Sequence, residues 1–377
     1  MRCIIHTGKH KTGTTSLQQL LHSNHRILFD NSILYPLIPG AFHHNYILDP
    51  FHKDFDAERI RAICREAAQC KIDYLIFSAE VVSTLPAKQL KQITDYLLEC
   101  ESVTFLICLR HWNSFLPSRF AQSSSRRDSH TYAEFLAKVS DSTAGHWDFD
   151  YGECLRNLYE SKHNIKIISY DNAVMGEGLP SAIFEAAGLS SLLCKNLINE
   201  KSSLNISRPW EMTEFLRLLN GVAADHFCEP QNPLFDTLAR GNRQSFTMFD
   251  FPEILNKLEP RWTAEILEWI RMHESPLPKV PETYLEIDNN IMMNYRPDVT
   301  NACDGRLFPE NPQYNSKLRF TSLTWPQLVE RNPDLVRQIM ERVSTVWNSS
   351  ETIGRRGRAR SYLTKLAKKA YKKLRSY

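Results

Sequence analysis

The chain lacks a long apolar run. Nowhere in its 377 residues does it approach the roughly 18 to 20 uninterrupted apolar residues of a membrane span. It also lacks any C-x-x-C pair. The nine cysteines, Cys3, Cys64, Cys70, Cys100, Cys108, Cys154, Cys194, Cys228 and Cys303, are scattered and odd in number, which speaks against a disulfide framework or a zinc site. Reduced thiols in a cytoplasm-like compartment are the expectation. The start shows no charged, apolar and small-residue succession of a leader; Ile4 and Ile5 run straight into a glycine-bearing loop and read as a first strand. Acid is missing from the end. From Arg355 onward there are ten basic residues and no acidic one, while the body carries 36 basic against 43 acidic residues. A mildly acidic body therefore bears a strongly basic tail.

What is present is a hydrophobic content of 42%, enough to fill the core of one large domain or two ordinary ones. Up to about residue 170, short apolar runs such as "RCIIHT", "DYLIFSAE", "SVTFLICLR" and "NIKIISY" alternate with helical patterns at Ser16 to Phe29 and Ala87 to Glu99. The runs are rich in Ile, Val, Phe and Leu and do not alternate with polar residues, the pattern of strands buried on both faces of a parallel sheet. This predicts an α/β three-layer sandwich. After about residue 176 the strand signals fade, and "RPWEMTEFLRLLNGVAADHF", "PEILNKLEPRWTAEILEWIRMHE" and "WPQLVERNPDLVRQIMERVSTVW" carry helical spacing. Residues 275–315, rich in proline and turn formers, read as a long surface segment. The expected organisation is an α/β core over 1–190, a helical region over 191–350 and a basic amphipathic tail over 351–377. There is no internal repeat.

The first strand leads into "IIHTGKHKTGTTSLQQLL", where Gly8 and Gly13 have the spacing of the phosphate-cradling loop G-x-x-x-x-G-K-[ST]. The lysine that should follow Gly13 is absent, and Thr14 stands in its place. A lysine lies two residues earlier, at Lys11. Glycines let successive backbone N–H groups converge, a helix N-terminus adds partial positive charge, and hydroxyls donate further bonds. His10, Lys11, Thr12, Gly13, Thr14, Thr15 and Ser16 are the candidate anion-binding residues. The competing reading is a Gly/Thr turn that merely caps a helix. Nucleotide triphosphatases use the lysine after the second glycine to reach the β and γ phosphates, with the next hydroxyl on magnesium, so the displaced lysine argues for a different anion.

The run "KTGTTS" resembles the 5′-phosphosulfate loop of sulfotransferases, which use 3′-phosphoadenosine 5′-phosphosulfate (PAPS) and carry a K-x-G-T-T pattern. That family also has a strand ending in arginine with a serine eight residues on, together binding the 3′-phosphate. "FLICLRHWNSFLPSRF" supplies Arg110 and Ser118 at that spacing; alone, the arginine would read as an ordinary surface residue. "IKIISYDNAVMGEGLPSAIFEAAGL" is similar to the family's strand, tyrosine-acidic turn and helix. The resemblance covers residues 3 to 190 and is closest to bacterial enzymes of the "H-x-G-x-x-K-T-G-T-T-S-x-Q" type. The basic C-terminal PAPS loop of the animal enzymes has no clear counterpart, "ARGNRQSF" (239–246) being a weak candidate. The resemblance implies a P-loop-like fold, PAPS as donor, and transfer of its sulfuryl group to an acceptor hydroxyl with no metal. The body shows no acidic metal motif.

Such a transfer needs a group that takes the hydroxyl proton and a cation that neutralises charge on the leaving phosphate. The resemblance gives the second role to Lys11. For the first, "LIFSAEVVSTLP" puts Glu80 where the histidine-using branch has its base. A carboxylate following Leu75, Ile76 and Phe77 would sit partly desolvated at the carboxyl edge of the sheet, where its proton affinity rises. Capping of the next helix is the competing reading for Glu80. His43 and His44, in "HHNY", are the rival bases, against a plain solvated pair. Trp210 and Trp262 fall in helical patterns and read as core, and "SSLNISRP" as a helix N-cap.

In the tail, Tyr362, Leu363, Leu366, Ala370, Tyr371 and Leu374 fall near one helical face among lysines, a pattern suited to peripheral contact with an anionic membrane and equally to a solvated tail. No nucleic-acid module accompanies the charge. A carbohydrate or glycolipid acceptor and a cytoplasmic site, at the inner face of the membrane, complete the expectation. A P-loop-type kinase and a non-catalytic nucleotide- or membrane-binding protein of the same fold are the alternatives.

Overall fold

Five strands, β1 (Arg2–Gly8), β2 (Ile33–Leu34), β3 (Tyr74–Ser78), β4 (Ser102–Leu109) and β5 (Asn164–Ser169), form a parallel sheet in the order β2-β3-β1-β4-β5. The computed structural model describes residues 1–9, 11–53, 55–124, 128–141, 151–197, 210–227, 260–275, 290–309 and 319–338. β1 lies at the centre, with Cys3 opposite Leu75 of β3 and Val103 of β4, and His6 opposite Ser78 and Leu106. It is buried along all but its first residue, as its Ile-rich, non-alternating sequence requires.

Both faces of the sheet are covered, because parallel strands need long crossovers that return over the sheet. On one face Ile4, Ile76, Leu106, Cys108 and Ile168 pack with Leu17 and Leu21 of α1 (Thr14–Ser23) and with Leu179, Ile183 and Phe184. Each fully buried leucine of this kind is worth about 1.5–3 kcal/mol of transfer free energy. On the other face Cys3, Ile5, Phe77, Phe105 and Ile107 are buried. The Cys3, Cys64 and Cys100 thiols meet there, which brings the helix Ala57–Gln69 over it. The α/β architecture is thus present, with a parallel central sheet and helices in an arrangement compatible with three layers. All eight cysteines among the described residues are free.

The helix expected over Ser16 to Phe29 is two helices, α1 and His25–Asp30. Asn24 separates them, its side-chain amide donating to the Leu20 carbonyl at 2.8 Å, which satisfies an end-of-helix acceptor. The expected surface segment also differs in part. Within it, Val299 bridges to Ile167, Thr300 N–H donates to the Ile167 carbonyl, and the Asn301 side chain both accepts from Ser169 N–H and donates to its carbonyl. Leu307 and Phe308 are buried. This stretch covers the edge of β5, whose backbone groups would otherwise be left unpaired. Its prolines and turn formers hid that from a reading by periodicity.

The chain divides into two compact units that are not consecutive stretches: Met1–Ser118, Val139–Ile206 and Val280–Asn315 form one, and the remainder the other. The second is built on the helix Trp210–Phe227, whose Phe215, Leu218 and Leu219 pack with Ile266 and Ile270 of Pro260–Met272 and with Leu323 and Leu328. A buried ion pair joins Arg217 to Glu214 at 2.8 Å; Glu214 Oε2 also accepts from the Thr321 hydroxyl and Arg217 donates to the Leu323 carbonyl, while Glu214 Oε1 has no hydrogen-bond partner among the described residues. No described helix is long and apolar enough to cross a membrane. The basic tail, "SSLNISRP" and "ARGNRQSF" lie outside the described residues.

Gly221 sits against Trp325, and a Cβ there would lie 2.4 Å from its Cδ1 and 2.7 Å from its Cβ. Gly221→Ala is expected to cost about 1–3 kcal/mol by overpacking, read as a lowered urea midpoint. A wild-type midpoint would show that Trp325 moves aside freely at this point.

Candidate functional site

The carboxyl ends of β3, β1, β4 and β5 lie side by side, and each passes directly into a residue with chemistry to offer. In open parallel sheets this edge is where ligands settle, at the point where successive crossovers diverge. From β1 comes the loop Gly8 to Gly13, from β3 Glu80, from β4 Arg110, and from β5 Tyr170 and Asp171.

The loop is shaped by its backbone. Lys11 and Gly13 are both left-handed, with φ of 66° and 76°, a conformation that aims consecutive N–H groups into a common concavity. Gly13 caps α1 with no side-chain bond to the first turn, so the helix amides of that turn have no side chain of the capping residue on them. A side chain at Gly13 is doubly disfavoured: the φ is positive, and a Cβ would lie 2.8 Å from Leu179 and 3.1 Å from Tyr170. Gly8 is required by close approach, since a Cβ would lie 2.8 Å from the Thr12 hydroxyl.

The hydroxyls divide by direction. Thr12 is buried and donates inward to the Lys9 carbonyl at 2.7 Å, so it shapes the loop through its side chain and faces a ligand only with its backbone. Thr14 is buried and donates to Glu80. Thr15 and Ser16 are exposed in the first turn of α1. Lys11 is half-buried, and its neighbour Lys9, which the sequence reading passed over, is buried. His10 lies outside the described residues.

Arg110 ties the loop to β4. Its Nη1 donates to the Lys11 carbonyl at 2.7 Å and its Nε to Ser114 Oγ at 3.0 Å, while the guanidinium carbon stands 4.8 Å from the centre of the Tyr170 ring. Two of the five guanidinium N–H groups are used in these bonds, leaving a fork of donors with a fixed plane. Ser114, rather than Ser118, takes the arginine. Ser118 is half-buried one helical turn further along Trp112–Ser124, on the same face as Ser114.

Asp171 fixes this arrangement from below. It accepts from His111 N–H at 2.6 Å and from the Ser114 hydroxyl at 2.8 Å, and it is fully buried. Burial raises its carboxyl above the ordinary range, against the opposing pull of those bonds and of Arg110. The sequence placed "YD" in a tyrosine-acidic turn without giving Asp171 a role and left Ser114 unmarked; the signal was there in a serine four residues after the strand-ending arginine.

The candidate bases have unlike surroundings. Glu80 opens a 3-10 turn, Glu80–Thr84, at the end of β3 and is half-buried. His43 is half-buried, with burial lowering its pKa and the Glu80 charge raising it. His44 is buried and has both ring nitrogens engaged: Nδ1 accepts from Ser78 N–H at 2.9 Å and Nε2 meets the Pro36 carbonyl at 2.8 Å. An acceptor at Nδ1 and a donor at Nε2 make a fixed neutral tautomer, which is the work of a strut. Below these, His6 joins β1 to its neighbours, with Nδ1 2.8 Å from Ser78 Oγ and Nε2 3.6 Å from Cys108 Sγ, and Gln18 of α1 donates to Ser78 at 3.2 Å.

The assembly brings Lys11, Arg110 and the Glu80 carboxylate to one edge of the sheet. Among the described residues no group of three or more His, Cys, Asp or Glu side chains is placed to hold a metal ion. Comparison of the chain with family models, characterised proteins and solved structures finds no match.

Burial lowers the pKa of both His6 and His44 from 6.5 to about 4. The unfolded chain takes up these protons near pH 6.5 and the folded one only near pH 4, so between the two the unfolded state binds more protons. Stability then rises with pH across that window. The unfolding free energy, followed through the urea midpoint, is expected to hold steady above about pH 7 and to fall as pH drops toward 4, by up to about 1.4 kcal/mol per pH unit per histidine. A midpoint that stays flat on acidification would contradict the neutral, sealed state of these two rings.

Proposed function

We propose that the chain is a PAPS-dependent sulfotransferase of P-loop-like fold, moving the sulfuryl group from PAPS to a hydroxyl of a carbohydrate or glycolipid acceptor. The single observation that carries this reading is the contact of Arg110 with the Lys11 carbonyl. It joins the two stretches that resemble separate halves of a sulfotransferase donor site, 99 residues apart in sequence, at one edge of the sheet. The Gly8–Thr14 loop with α1 suits the 5′-phosphosulfate, and Arg110 with Ser118 suits the 3′-phosphate, where paired donors and a hydroxyl can share a dianion.

The acceptor oxygen attacks sulfur, the bond from sulfur to the bridging 5′-phosphate oxygen breaks, and the acceptor proton passes to the base. Glu80 is that base in this reading, at the end of β3 and bonded to Thr14. The Thr14 hydroxyl would have to choose between Glu80 and a phosphate oxygen, which ties arrival of the donor to release of the carboxylate. Lys11 stabilises the leaving adenosine 3′,5′-bisphosphate as negative charge returns to it. His43 stands near enough to feel the Glu80 charge and is the rival base. His44 serves by holding His43 in place through its bonds to Ser78 and Pro36. Peripheral binding of an anionic membrane by the basic tail, and a cytoplasmic location, belong to the same proposal.

Lys11→Ala is expected to reduce transfer on the order of 100-fold or more, with weaker bisphosphate binding, in an assay with labelled PAPS; near-normal turnover would remove the loop assignment. Glu80→Gln should retain bisphosphate binding and lose rate on the order of 100-fold. An unchanged rate would transfer the role to His43.

Adenosine 3′,5′-bisphosphate should bind without magnesium and more tightly than ATP, measured by calorimetry. Preference for magnesium-ATP would instead favour a kinase, and bisphosphate binding with no transfer to a broad acceptor panel a non-catalytic protein.

A further inference from the structure

The stretch from Pro36 to Lys53 reaches the candidate base by an unusual attachment. His44 N–H donates to the Ser78 carbonyl at 2.8 Å, Ser78 N–H returns to His44 Nδ1, and Val81 N–H donates to Asn45 Oδ1 at 3.3 Å. The stretch is therefore pinned beside Glu80. Its outward side is rich in rings that the fold leaves uncovered: Phe42 is 46% exposed, Tyr46 45% and Phe51 68%. Imidazoles stand between them. His22 meets Phe42 edge to face at 4.9 Å, and Tyr46 lies between His43 at 5.2 Å and His52 at 4.7 Å.

Stable exposure of aromatic faces next to a reactive edge marks a binding surface, and the chemistry of this one selects its ligand. An aromatic face is electron-rich and meets the polarised C–H face of a sugar ring. Imidazole nitrogens between such faces accept from and donate to hydroxyls. Charge is nearly absent. Between Pro36 and Lys53 the only fully charged side chains are Asp49 and Lys53, one of each sign, so nothing in the stretch concentrates positive charge for a sulfated or uronic polymer. A flat phenol needs one apolar slot, whereas the rings here are spread over two groups, Phe42 with His22 and Tyr46 with His43 and His52.

We infer that the Phe42–His52 segment is the acceptor shelf of the enzyme and that it takes a neutral glycan, laid across Phe42 and Tyr46 so that one hydroxyl faces Glu80 and His43. This rests on the sulfotransferase reading and narrows its acceptor class. The rings act on affinity and position; the proton passes elsewhere.

The full chain is titrated calorimetrically with chitohexaose and maltohexaose. Transfer from labelled PAPS is then followed to both, to a hyaluronan hexasaccharide and to 4-nitrophenol. A neutral hexasaccharide is expected to bind and to be sulfated, and Phe42→Ala and Tyr46→Ala each to raise its KM about tenfold, with kcat and bisphosphate affinity close to wild type. Sulfation of only 4-nitrophenol or the acidic hexasaccharide would overturn the shelf, as would an unchanged KM in both variants. Failure of the wild-type chain to bind adenosine bisphosphate would instead sink the sulfotransferase reading. In that event hexasaccharide binding that survives in the wild type and is lost in Phe42→Ala still supports the glycan surface, and no hexasaccharide binding at all overturns it.

Discussion

The bond from Arg110 to the Lys11 carbonyl is the constraint on which the candidate site depends. Arg110 leaves β4 at its end, holds the loop that leaves β1, rests on Tyr170 at the end of β5, and is itself held by Ser114. A guanidinium has a rigid plane and enough donors to serve two partners and still face a ligand. Lysine in its place would offer a point charge and could not hold three strand ends in register. The left-handed Lys11, a conformation that costs a non-glycine residue about 1 kcal/mol or more, persists because its carbonyl is held in this way.

On the other side of β1 the fold spends buried polar groups to fix position. His6, Ser78, Gln18 and His44 form a linked set under the loop, each with partners, as burial demands. A purely apolar layer would cost less to bury and would leave the segment carrying His43, Tyr46 and Phe51 less firmly located. Rigid support from below and exposed rings above suit the proposed acceptor surface, since a binding surface gains affinity when its side chains are ordered in advance.

Four of the five strands of the sheet were legible from composition, because β1, β3, β4 and β5 are short runs of Ile, Leu, Val, Phe and Cys bounded by turns, as burial on both faces requires; the two-residue β2, Ile33–Leu34, is too short to carry such a signal. The loop drew attention because glycine, lysine and hydroxyl residues occupy fixed offsets, and Arg110 only through the resemblance of its strand end to a known pattern. The break at Asn24 was less visible, since one polar residue with a local side-chain bond ended a helix whose apolar period continued. Ser114 and Asp171 escaped notice because their importance lies in each other: separated by 57 residues, they meet only after β4 and β5 pair. The stretch from Val299 to Leu307 escaped for a similar reason, as it pairs with a strand edge through backbone and asparagine groups that carry no periodic signature.

By itself the sequence determined which residue types stand at the ends of buried strands, and with them the α/β class. These follow from local conformational preference and from the need to bury apolar runs, both readable one segment at a time. Tertiary structure decided direction. It turned Thr12 inward and left Thr15 and Ser16 outward, gave Thr14 to Glu80, gave Ser114 to Arg110, and closed both nitrogens of His44 while leaving His43 at the surface of the site. Adjacent, chemically alike residues were separated into those bonded within the framework and those left facing outward because a hydrogen bond is settled by distance and angle, and those exist only once strands far apart in the chain lie side by side.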